Sequence, residues 1–233
     1  MDIKSALQLL DAHQCFNCGT LVYNANPFCK YCNHYLSGFK SRYTIHKNLP
    51  FNVKYLYYWP PAVSDALSAY FLGLKILKNK KTWQWVAQEW VNKWALDNKH
   101  TQNSLLRLSV FTQILIFPAP SSQGHTDDHA SHWAQALSIW SGSDVSQIFI
   151  KQTATMQKNK SKQERRQIQI VGNENISRLR EIKVGPLLCI FADDVLTTGE
   201  TAKKGYELLK KYLKVPFVFE AWVVGYRGLK DNY

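Results

Sequence analysis

The sequence predicts an α/β fold: a parallel sheet flanked by helices, with a small four-cysteine module at the N-terminal end. Three observations lead there. Short apolar runs of β character alternate with amphipathic helical stretches through the later part of the chain, as in a parallel sheet covered on both faces. Four of the five cysteines fall as two C-x-x-C pairs within the first 36 residues. The 233 residues are 45 % hydrophobic and 20 % charged, with 11 Gly and 8 Pro, so a disordered or collagen-like chain is excluded. That length suits one ordinary core plus a small appendage.

Residues 1–36 form the cysteine module, with residues 5–12 expected as a short leading helix. The start, MDIKSALQLLDAHQ, lacks the basic n-region and long apolar stretch of a secretory signal. No window approaches eighteen uninterrupted apolar residues, and the strongest, residues 114–117, is stopped by Pro118. A cytoplasmic protein without a membrane span is expected. In that compartment Cys15, Cys18, Cys29 and Cys32 read as zinc ligands or as a redox dithiol rather than as structural disulfides. Tetrahedral zinc needs four ligands, and two C-x-x-C turns supply two thiolates each. Gly19, just after the first pair, permits the positive φ of such a tight turn. His13 and His34 flank the pairs and read as neighbours of a site that four thiolates already close.

Residues 37–54 turn polar and basic, as suits a connector or edge strand, and residues 55–233 make up the main domain. Helices are expected over 65–77 (DALSAYFLGLKIL), with Ser64 as N-cap, and over 83–96 (WQWVAQEWVNKWAL), with Thr82 as N-cap. In the second, Trp83, Ala87, Trp90 and Trp94 share one face. Base stacking is one use for such a stripe; helical spacing favours core.

Residues 113–117 (QILIF) predict a strand, 118–124 a loop and 131–140 a helix; 147–150 is a further strand candidate. Residues 151–166 carry six basic residues against one acid and have no apolar face, so a solvated segment is expected. Residues 167–171 alternate as a strand does. Residues 186–191 (PLLCIF) are continuously apolar, as a central parallel strand should be, and place Cys189 as a small buried hydrophobe. A helix over 200–213 and a strand over 216–224 complete the pattern.

The chemistry sits in LLCIFADDVLTTGETAKKGYELLK, residues 187–210. A buried strand delivers Asp193 and Asp194 to a turn of Thr197, Thr198, Gly199, Glu200 and Thr201, and then a helix begins. In open parallel sheets ligands collect beyond the carboxyl ends of the strands. A helix start after a glycine turn presents amide N–H groups and the positive end of the dipole to an anion such as phosphate. Two carboxylates beside that cradle would repel phosphate, so they address a sugar diol or a magnesium ion. Phosphate at one end and a diol at the other describe a ribose 5-phosphate.

Residues 187–201 resemble the signature of type I phosphoribosyltransferases. The whole chain resembles the ComF family of competence proteins in its four-cysteine finger, a helical pair containing Lys75, Pro118-Ala119-Pro120, Gln157 with Glu164-Arg165, and the signature itself. The resemblance implies a type I phosphoribosyltransferase-like fold that binds 5-phosphoribosyl 1-pyrophosphate with Mg²⁺. Asp193 and Asp194 would hold the ribose hydroxyls and residues 197–201 the 5-phosphate. The loop of Ala119, Pro120, Ser121 and Ser122 would lie at the pyrophosphate, and residues 151–166 would close as a hood. Relatives carry an arginine-rich stretch after the P-x-P loop; here it reads SSQGHTDDHASHW, and Asp127 and Asp128 stand where positive charge is expected. His125, His129 and His132 in this stretch could supply some charge or ligate a metal, but histidines scattered in a polar loop are more often solvated.

Competence implies handling of single-stranded DNA alongside other DNA-uptake proteins. The net charge of +12 agrees with it, because Lys and Arg neutralise phosphates. The candidate track is Lys75, Lys78, Lys80 and Lys81 with Lys158, Lys160, Lys162, Arg165 and Arg166. Two functions stay open: a DNA-binding competence factor whose pocket takes phosphoribosyl pyrophosphate, and a phosphoribosyltransferase acting on an unidentified base or amine.

Overall fold

A computed structural model of the chain describes residues 13–15, 17–23, 26, 28–39, 49–59, 65–76, 80–96, 110–121, 128–152 and 169–227. The leading helix expected over 5–12 and the Ser64 cap lie outside these residues. Two short strands, β1 (His13–Gln14) and β2 (Leu21–Val22), pair antiparallel and are followed by α1 (Lys30–Ser37). Then come β3 (Asn52–Tyr58), α2 (Asp65–Ile76), α3 (Lys80–Leu96), β4 (Gln113–Pro118), α4 (His129–Ser141) and β5 (Asp144–Val145). After β6 (Phe149–Gln152) and β7 (Gln169–Gly172), a 3-10 helix (Glu174–Glu181) leads to β8 (Leu187–Leu196), α5 (Glu200–Tyr212) and β9 (Phe217–Tyr226).

The main sheet has five strands in the order β3-β9-β8-β4-β5, every neighbouring pair parallel. β8 is central and buried on both sides, which is why its sequence is continuously apolar. Its residues alternate between two cores. Leu188, Ile190 and Ala192 join α2, α3 and α4, whereas Leu187, Cys189 and Phe191 join α5, the 3-10 helix and the β6–β7 ribbon. The strand runs on through both acids to Leu196. Cys189 is the small buried hydrophobe expected, and burial pushes its thiol up to about 12.

The tryptophan stripe is core. Trp83, Ala87, Trp90 and Trp94 are all buried; Trp90 stacks on Trp222 at 4.6 Å and donates from Nε1 to the Val223 carbonyl at 3.2 Å. Trp133 of α4 likewise donates to the Trp222 carbonyl at 2.9 Å. Gly225 of β9 lets Phe71 of α2 approach the sheet, since a Cβ there would sit 2.2 Å from the Phe71 ring. At the outer edge, Lys93 of α3 donates to the carbonyls of Tyr55 and Leu56, covering part of β3's open side.

Three expectations need correction. Thr82 does not cap α3: the helix begins at Lys80, and Thr82 is buried in its first turn. The strands expected near 147–150 and 167–171 do not join the parallel sheet. They form the separate antiparallel ribbon β6–β7, so residues 153–168 link its two strands. The edge strand, β3 over 52–58, overlaps only the last three residues of the stretch read as a connector or edge strand, of which residues 40–48 lie outside the described residues.

The cysteine module is part of the larger core. Cys15, Val22, Phe28, Cys32 and Leu36 bury with Leu56, Tyr57 and Tyr70, and the Phe28 ring lies 4.8 Å from that of Tyr70. Among the described residues no helix is long and apolar enough to cross a membrane.

Candidate functional site

β4 passes through α4 to β5 on one side of it, and β8 passes through α5 to β9 on the other. The two helices pack in different cores, Trp133 and Leu137 of α4 in one, Ala202 and Leu209 of α5 in the other. Connections of the same hand that run in opposite directions must lie on opposite faces. They therefore part between β4 and β8, and the crevice at the carboxyl ends of these strands is where open α/β sheets bind ligands.

That crevice holds the predicted residues. Asp194 is buried with 4 % of its surface exposed, Asp193 is half-buried, and the Asp194 amide donates to Asp193 Oδ1 at 2.9 Å. Next along the chain, Thr197 and Thr198 are exposed. Gly199 takes the left-handed conformation at φ 74° and caps α5. The first bond of α5 runs from the Lys203 amide to the Gly199 carbonyl at 2.8 Å. The amides of Glu200, Thr201 and Ala202 thus precede any i→i−4 partner, as at every helix start. Glu200 N also approaches the Thr198 hydroxyl at 3.4 Å. Leu49 lies against the turn, so close that a Cβ on Gly199 would come within 2.8 Å of it.

Across the crevice, the P-x-P loop is tied to the strand that bears the acids. Pro118 pairs with Ala192, and the Ala119 amide donates to the Ala192 carbonyl at 2.8 Å. Ala119 is buried, Pro120 and Ser121 are half-buried, and Ser122 lies outside the described residues.

Sequence reasoning missed His129. Its loop composition favours solvation over added charge or metal ligation, yet as the first residue of α4 its Nε2 lies 3.3 Å from Asp194 Oδ1. His129, Asp193 and Asp194 each bring one ligand atom to a common place, all within 4.8 Å of one another. The available signal was positional: a histidine at the start of the helix after β4 faces the end of the adjacent strand. Asp128, read as misplaced negative charge, has a structural use. Its carboxylate accepts from the Ser131 amide at 2.8 Å and caps α4. His125 and Asp127 lie outside the described residues.

The second cluster is Cys15, Cys18, Cys29 and Cys32, whose sulfurs also lie within 4.8 Å of one another and are positioned to hold a metal ion. Cys18 and Cys29 Sγ are 3.6 Å apart. Two sulfurs on one tetrahedral zinc, each about 2.3 Å from it, stand about 3.8 Å apart, so the residues fit zinc. Gly19 adopts the expected positive φ, 73°. Cys29 caps α1 and Cys32 sits in its first turn, where the helix dipole favours thiolates. Asn17 Nδ2 donates to Cys32 Sγ at 3.3 Å, orienting that ligand from outside. Hydrogen bonding by the Thr20 hydroxyl, together with the Thr20 backbone and neighbouring cysteines, brings exposed Cys18 down to about 6. Burial pushes Cys32 up to about 12. His13 meets the Asn26 carbonyl at 2.7 Å and His34 is exposed; neither belongs to the cluster.

Of the lysine track, Lys80 and Lys81 are exposed in the first turn of α3. The Lys75 side chain, Lys78, Lys158, Lys160, Lys162, Arg165 and Arg166 lie outside the described residues, as do Gln157 and Glu164.

No protein-family model matches the chain, and no curated protein matches it.

Proposed function

We propose that the chain binds 5-phosphoribosyl 1-pyrophosphate with Mg²⁺ in the crevice between β4 and β8. On this reading it is a cytoplasmic competence protein of the ComF type, serving natural transformation with single-stranded DNA and other uptake proteins as partners. One observation carries the ligand assignment. A carboxylate pair, one member of it buried, and a glycine-capped helix start occupy adjoining positions at the point where the strand order reverses. The helix start takes the 5-phosphate through its amides and the threonine hydroxyls. Asp193 and Asp194 accept from the ribose hydroxyls, while magnesium would offset the pyrophosphate charge.

Calorimetry tests this directly. Titration with phosphoribosyl pyrophosphate and Mg²⁺ should give one site per chain. Asp193→Asn with Asp194→Asn should weaken it at least tenfold, since a hydrogen bond to a charged group is worth about 1.5–3 kcal/mol. Binding that ignores the double variant would refute the assignment.

The DNA reading rests on the net charge of +12. Retention of a labelled oligonucleotide should fall steeply with salt, and reversing Lys160 and Lys162 should reduce the slope; salt-independent retention would contradict it. The four-cysteine cluster is proposed to hold structural zinc.

A second reading, transfer of phosphoribose to a base or amine, is favoured by the bond between Ala119 and Ala192, which sets the P-x-P loop beside the acids where leaving pyrophosphate would lie. The protein's part would be to position the reactants and stabilise charge in an oxocarbenium-like transition state. Steady pyrophosphate release with a pool of bases and amines, lost in the double Asp variant, would establish it. Its absence alongside intact binding would favour the binding factor.

A further inference from the structure

We propose that His129, Asp193 and Asp194 form a second metal site, held by the protein itself and suited to a nitrogen-accepting divalent ion such as Mn²⁺ or Co²⁺. This differs from magnesium carried in on a pyrophosphate, which needs the substrate to be present. The inference shares Asp193 and Asp194 with the phosphoribosyl reading, which gives them the ribose hydroxyls, but it can be tested separately because the three ligands hold an ion with no substrate present.

Three observations carry it. First, the ligand atoms converge from two independent elements, the start of α4 and the carboxyl end of β8, within 4.8 Å of one another. Second, the spacing fits a shared ion. Two ligands cis on an octahedral ion, each about 2.1 Å from it, stand about 3.0 Å apart. His129 Nε2 and Asp194 Oδ1 are 3.3 Å apart, so this pair closes on an ion with a shift of a few tenths of an ångström. Third, charge and access agree. Two neighbouring carboxylates, one of them buried, repel when both are ionised, and a divalent cation with a neutral imidazole balances their two charges. The His129 side chain keeps 36 % of its surface exposed, leaving that side of the cluster open to solvent or to oxygen ligands of a bound molecule.

The chemistry of the set selects the ion. Magnesium prefers oxygen ligands and dehydrates reluctantly, whereas imidazole suits later transition metals. One nitrogen and two carboxylate oxygens, with coordination positions left over, make a mixed set: the imidazole favours a transition metal over Mg²⁺, and the carboxylates suit Mn²⁺. A simple His–Asp ion pair would give the same single contact at 3.3 Å, and metal binding separates the two accounts.

The test uses the whole 233-residue chain with its cysteine metal in place and no phosphoribosyl pyrophosphate. Manganese is added and free ion is followed by electron paramagnetic resonance, thiolates being poor ligands for Mn²⁺. One ion per chain is expected, with imidazole nitrogen coupling in the spin-echo spectrum. His129→Gln and His129→Ala should each abolish that coupling and weaken binding at least tenfold while zinc content and circular dichroism stay unchanged. Failure to retain Mn²⁺ would overturn the proposal. So would bound Mn²⁺ without nitrogen coupling, a readout on the unmodified protein that does not depend on how the variants fold. Because phosphoribosyl pyrophosphate is absent throughout, the outcome is independent of whether that ligand binds.

Discussion

Gly199 shows how a single residue sets the site. Its φ of 74° is strained for any side chain, and a Cβ would press on Leu49 at 2.8 Å. Gly199→Ala should cost about 1–2 kcal/mol in chemical denaturation, and it should weaken ligand binding because the helix start moves with the turn. Wild-type stability and affinity in this variant would contradict the account. The thiols offer a second check. Burial holds Cys189 at about 12, so its thiolate fraction at pH 7 is on the order of one in 100,000; Cys18, lowered to about 6 and exposed, is mostly thiolate. After chelation, mass-spectrometric mapping of alkylation at pH 7 should find Cys18 modified first and Cys189 only on unfolding. The pH trend follows from the sign: a lowered folded value means Cys18 should lose this reactivity as pH falls through about 6. At this scale much was legible in the sequence. Asp193, Asp194, Gly199 and the four cysteines occupy the places their neighbours implied. His129 was legible only through its place at the start of the helix after β4, since its contact depends on α4 and β8 meeting in space and no local residue pattern encodes that.

At the level of elements, α4 is held at its start and α3 at its middle. Asp128→Ala should cost about 1 kcal/mol through the lost cap, read by thermal or denaturant unfolding. Trp90 combines full burial, stacking on Trp222 and a bond to the Val223 carbonyl, so Trp90→Ala should cost about 3–5 kcal/mol. A loss below 1 kcal/mol would mean that the stripe is not core. The helices and the central strand could be read because periodicities of 3.6 and 2 leave clear apolar traces. The ribbon β6–β7 could not: four-residue strands of either sheet look alike, and only pairing direction separates them. Thr82 misled for a related reason. Capping chemistry favours it, but the helix extends N-terminally through Lys81 and Lys80 while Thr82 is buried against the core.

For the whole molecule, the cysteine cluster and the sheet share one apolar core, joined at Phe28 and Tyr70. A metal that stabilises only the folded module should therefore stabilise the entire chain. Chelation, or Cys15→Ser, should lower the unfolding temperature of the main domain rather than melt an isolated finger; an unchanged transition would contradict this coupling. The sequence marked the module by its paired cysteines, but its fusion to the core depends on long-range contacts that spacing cannot report. The reversal of strand order between β4 and β8 is likewise a property of the assembled sheet, and it places the acids, the glycine turn and the P-x-P loop around one crevice. The most direct measurement on that crevice is amide hydrogen exchange of residues 197–202 with and without phosphoribosyl pyrophosphate and Mg²⁺. Exchange at the start of α5 should slow when the ligand is present, and the Asp193→Asn, Asp194→Asn variant should lose the effect. Exchange at that turn that stays unchanged at saturating ligand would contradict the account.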